Sequence, residues 1–66
     1  MEQDILQRLC DEDTHVLAIM YKHEFLPKDT NITMTGNGSG AIFKHNDFEI
    51  EKTRDELIKD LLAKNL

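Results

Sequence analysis

Sixty-six residues, 39% of them hydrophobic and 32% charged, carry thirteen acidic side chains against eight basic ones, for a formal net charge of −5. A chain this short is one domain, here residues 1–66, because domains need ~50–200 residues each. A single core of this size rarely supplies more than ~3–5 kcal/mol, which leaves no room for a deep active-site cavity.

The N-terminal part reads as helix. Apolar residues fall at Ile5, Leu6, Leu9 and Cys10 and again at Val16, Leu17, Met20 and Tyr21, both on the i, i+3, i+4 pattern. The acidic run Asp11-Glu12-Asp13 and then Thr14 separate the two groups, so this is one helix of about 22 residues or two with a bend. Asp13 or Thr14 is the candidate cap of a second helix. A strand over residues 15–22 is the rival reading, since Val16, Leu17, Ile19 and Tyr21 suit either state. Pro27 ends the region and biases Leu26 away from helical angles.

A hairpin follows. The segment Ile32-Thr33-Met34-Thr35, Gly36-Asn37-Gly38-Ser39-Gly40, Ala41-Ile42-Phe43-Lys44 contains Asn-Gly, the preferred pair of a two-residue type I′ turn. Centring the turn on Asn37-Gly38 sets Met34 against Ala41 and Ile32 against Phe43, all on one side. Thr33, Thr35 and Lys44 then share the other side, with Ile42 as the exception. The glycines predict a mobile tip. Phe48-Glu49-Ile50 alternates and adds a candidate third strand. Thr53-Arg54-Asp55-Glu56 matches a capping box, opening a helix with Leu57, Ile58, Leu61 and Leu62 on one face. Asp55 with Lys59 and Asp60 with Lys64 stand at i, i+4 spacing. The expected fold is a two-layer α+β domain: an N-terminal helix or two, a hairpin or small antiparallel meander, and a C-terminal helix. Its expected core is Leu6, Leu9, Val16, Leu17, Met20, Phe43, Leu57, Leu61 and Leu62.

No catalytic constellation emerges, and the chain is not expected to be an enzyme. The glycine-rich segment leads into a strand pattern rather than a helix and lacks the Gly-Lys-Ser/Thr ending of a phosphate loop. Asn37-Gly38-Ser39 and Asn31-Ile32-Thr33 match the glycosylation acceptor, which acts only in a secreted chain. His23-Glu24 has Pro27 where a zinc-protease helix needs its second histidine. The spacing of Cys10, His15, His23 and His45 matches no common zinc site, so no metal or cofactor is expected. Cys10 lies on the apolar stripe, where a thiol tends to be buried and inert. One cysteine forms no intrachain disulfide, and the acidic start Met1-Glu2-Gln3-Asp4 is no secretory signal, so a cytoplasmic setting is expected. No apolar run approaches the ~20 residues of a membrane span.

The acidic balance disfavours direct nucleic-acid binding, which rests on Lys and Arg neutralising phosphates. It favours electrostatic steering towards a basic protein. The expected function is therefore a small protein-binding regulator or inhibitor whose candidate partner is itself a nucleic-acid-binding protein. The candidate contacts are Asp11, Glu12, Asp13, Glu49, Glu51, Asp55 and Glu56, with Asn37 at the hairpin tip. One alternative is a DNA-binding regulator of winged-helix type, suggested by two helices before a glycine-tipped hairpin. The other is a structural or assembly subunit. With neither disulfide nor metal to supplement a small core, a homodimer is expected under every one of these readings.

Overall fold

A computed structural model describes residues 2–64. The chain runs α1 (Glu2–Asp11), α2 (Thr14–Phe25), β1 (Asn31–Thr35), β2 (Gly40–His45), β3 (Phe48–Thr53) and α3 (Arg54–Lys64). The strands form an antiparallel meander in the order β1-β2-β3. Helices α2 and α3 cover one face of it, and α1 packs chiefly against α3. This is the two-layer α+β arrangement read from the sequence. Among the described residues, no helix is long and apolar enough to cross a membrane.

The N-terminal region is two helices, and residues 15–22 are helical rather than a strand. Asp13 takes extended angles (φ −67°, ψ 150°) at the N-cap of α2, where its carbonyl accepts from Leu17 N–H. Its carboxylate makes no capping hydrogen bond. At the other end, Leu26 is extended before Pro27, as the proline requires.

The hairpin register is the one the apolar pattern demands: Ile32 pairs with Phe43, Thr33 with Ile42 and Met34 with Ala41. The turn differs. A type I′ turn needs positive φ at both Asn37 and Gly38. Here Gly36 (φ 43°) and Gly38 (φ 87°) take those angles and Asn37 does not, so pairing stops at Thr35–Gly40 and residues 36–39 form the loop. A two-residue and a four-residue loop share the same centre, which is why the register survives the change of turn. Gly40 is not part of a mobile tip. It is a buried residue of β2 whose Cα face abuts β3. The second turn, Asn46–Asp47, joins β2 to a β3 longer than expected.

Phe43 stands at the centre of the core on β2, 5.1 Å from the Tyr21 ring. Leu9, Leu17, Ala18, Tyr21, Ala41, Leu57, Ile58 and Leu61 complete it. The expected core needs correction at four positions. Leu6 is 38% exposed, and Val16, Met20 and Leu62 are half-buried. Cys10 is exposed as well. Helix α1 turns its Ile5–Leu9 edge inward, and that narrow stripe leaves Leu6 and Cys10 on its flanks. The i, i+4 ion pairs expected on α3 do not close: Asp60 reaches Lys52 on β3 at 3.2 Å, and Lys64 lies over the Phe25 ring.

Candidate partner-binding site

Three segments distant in sequence meet at one end of the molecule: the α1–α2 junction, the β1–β2 loop and the start of α3. The capping box brings the chain into α3. Thr53 N–H donates to Glu56 Oε1 at 2.9 Å, and Glu56 N–H donates to Thr53 Oγ1 at 3.2 Å, satisfying two amides that a helix start leaves unpaired. Arg54 N–H donates to the Ser39 carbonyl at 2.8 Å, tying α3 to the hairpin loop.

The Arg54 side chain makes the third connection. Its Nη2 donates to the Cys10 carbonyl at 2.7 Å and its Nη1 to Thr14 Oγ1 at 3.2 Å. Cys10 lies in the last turn of α1, where carbonyls lack helical partners and the helix dipole favours a cation. Arg54 therefore closes α1 from outside and holds α2 beside it. These contacts span the break between the two helices at residues 12–13.

The consequence is electrostatic. Asp11, Glu12 and Asp13, on the junction, share this end with Asp55 and Glu56 in the first turn of α3. All five are exposed, and none takes an ion-pair partner among the described residues. Among the described residues Asp11 accepts from the neutral Gln7 amide. The Glu56 carboxyl is held below the usual range, chiefly by the Thr53 backbone N–H, so it stays ionised. Lys52, whose pKa is raised chiefly by its hydrogen bond to Asp60, is engaged with that carboxylate instead. Asn37 is exposed in the loop at this same end.

Glu49 and Glu51 lie elsewhere. They project from the sheet face away from the helices, opposite Lys44 and Ile42 in the register. The eight expected contact residues thus divide into six at one end and two on the open sheet face.

Two features escaped the sequence reading. Arg54 enters the sequence reading only as a middle residue of the capping box, and its partners lie 40 and 44 residues away. Beside Asp55 and Glu56, Leu6, Ile58, Lys59 and Leu62 complete a shallow groove of about 320 Å³ between α1 and α3. The sequence carries no signal for this groove, since the spacing of Leu6 and Leu62 places both in the expected core and only the structure shows them exposed and half-buried. Among the described residues, no three His, Cys, Asp or Glu side chains gather as metal ligands. Comparison with family models, curated proteins and solved structures gave no match to this chain.

Proposed function

We propose that this chain is a small non-enzymatic regulator that binds a protein through a basic surface on that partner. The observation supporting the reading is the gathering at one end of five exposed carboxylates (Asp11, Glu12, Asp13, Asp55 and Glu56) that have no ion-pair partner among the described residues, beside one already engaged guanidinium. Such a cluster projects a field that steers a cationic surface and repels anionic ones. A nucleic-acid-binding protein is one source of a surface with that charge. The neighbouring groove adds an apolar floor that an aliphatic anchor would fill.

The test is capture from host extract on the immobilised chain. A partner bound through charge is retained at low salt and released at high salt, because exposed charges are screened beyond ~8 Å at physiological ionic strength. D11K/E12K/D13K should abolish retention, whereas E49K/E51K on the open sheet face should not. Retention indifferent to salt and to D11K/E12K/D13K would refute the reading. A gel shift with DNA at low salt separates the winged-helix alternative: a shifted band favours it, and none is expected.

A further inference from the structure

We propose that β1 is the site at which two copies of this chain join, edge to edge, into one six-stranded antiparallel sheet. The inference is independent of the acidic end. A three-stranded meander has two open edges, each with a row of unpaired backbone donors and acceptors. The two edges here differ in kind. Strand β3 carries Glu49, Glu51 and Lys52, charges of the sort that block edge pairing. Strand β1 reads Asn-Ile-Thr-Met-Thr, with no charge and no proline.

The sequence of β1 also matches itself when reversed. An antiparallel pairing centred on Thr33 sets Thr33 against the second copy's Thr33, Ile32 against its Met34 and Asn31 against its Thr35. Ile32 and Met34 pair with Phe43 and Ala41, so they lie on the helix-covered side, and both are half-buried in the single chain. In the joined sheet these two complete each other's burial, while the polar Asn31, Thr33 and Thr35 share the open face. A one-residue slip would set apolar against polar side chains and lose that match. The pairing is isologous, as a two-fold dimer requires.

Charge selects the same strip. Two chains of net charge −5 repel, so their contact is favoured where neither presents a carboxylate. In the proposed register Asp29, just before β1, falls beside the second copy's hairpin loop rather than its Asp29. The second copy thus supplies apolar burial that a 66-residue core lacks.

Sedimentation of the full chain from the low to the high micromolar range tests this. The wild type should pass from monomer to dimer. Thr33→Lys places like charges opposite each other at the two-fold axis and should raise the dimer dissociation constant about five-fold or more. Thr33→Glu should do the same, and an equimolar mixture of the two should restore dimerisation to near the wild-type level. That rescue also shows that both variants are folded. Ile42→Thr, at the middle of the open sheet face, should leave the dimer unchanged. A wild type that stays monomeric throughout, a dimer indifferent to Thr33→Lys, a mixture that fails to recover, or a dimer lost in Ile42→Thr each overturns the proposal.

Discussion

Gly40→Ala isolates one steric contact on which the sheet depends. Gly40 pairs with Thr35 on one side and Thr53 on the other. A Cβ built on it would stand 2.5 Å from the Lys52 carbonyl oxygen and 3.1 Å from Thr53 Cα. Ordinary van der Waals contact begins near 3.4 Å, so β3 must retreat by most of an ångström. Both obstructing atoms are backbone, so no side chain can swing aside. Overpacking of this kind costs ~1–3 kcal/mol. It opposes the ~0.4–1 kcal/mol that Gly→Ala ordinarily contributes by restricting the unfolded chain. A core of this size supplies about 3–5 kcal/mol, so the loss is a sizeable fraction of it. Each kcal/mol lowers Tm by about 4–8 °C in a small domain. Urea unfolding should show a lower midpoint with an unchanged slope. Gly36→Ala is the control: its added Cβ meets nothing within 4 Å, but its φ of 43° is left-handed. That variant should lose the ~1–2 kcal/mol of the disfavoured conformation without any clash, a cost Gly36→Asn should partly relieve. Gly40→Ala as stable as the wild type would show that the strands separate freely and would refute the steric reasoning.

Thr30 is 2% exposed and its hydroxyl finds no partner among the described residues, so Thr30→Val should stabilise the chain by ~1 kcal/mol in chemical denaturation. Destabilisation by the same amount would mean that a water satisfies the hydroxyl. Arg54→Met keeps the aliphatic stem and removes two hydrogen bonds, for an expected loss of ~1–3 kcal/mol. Amide exchange should speed up most in the last turn of α1, and unchanged exchange there would count against the closure of that helix by Arg54. The folded-state pKa of Glu56 is depressed, so its stabilising contribution is complete above the unfolded value of about 4.5 and disappears as pH falls through the lower folded value. Glu56→Gln keeps an acceptor for the Thr53 amide but should flatten the acid limb of the stability–pH curve; an unchanged limb would assign that slope to other carboxylates.

Local chemistry was readable from the sequence, and long-range chemistry was not. The Thr53–Glu56 box was legible because both partners lie within one turn. The β1–β2 register was legible because apolar alternation and turn position gave the same answer independently. The turn type was not, since glycines at 36, 38 and 40 offered several ways to reverse the chain and only the approach of β3 at Gly40 separates their roles. The junction of α1 and α2 is bridged by a guanidinium from α3, a contact that residues 11–14 alone do not reveal. Asp60 chose Lys52 over Lys64 because β3 runs alongside α3, a neighbour that helical spacing cannot reveal. For the same reason the acidic residues formed two groups in sequence, whereas in space the division falls between Asp55–Glu56 and Glu49–Glu51.

Helix α1 rests chiefly on α3, and Leu9 is its one deeply buried side chain among the described residues. Packing this sparse predicts that α1 opens at a lower free energy than the sheet and the two helices on it. Asp11 rides on the end of that unit, with Glu12 and Asp13 following in the link to α2, so the acidic cluster divides between the α1–α2 junction and the start of α3. A partner that binds both halves at once would make the opening of α1 costlier, and slower amide exchange throughout α1 would register its arrival.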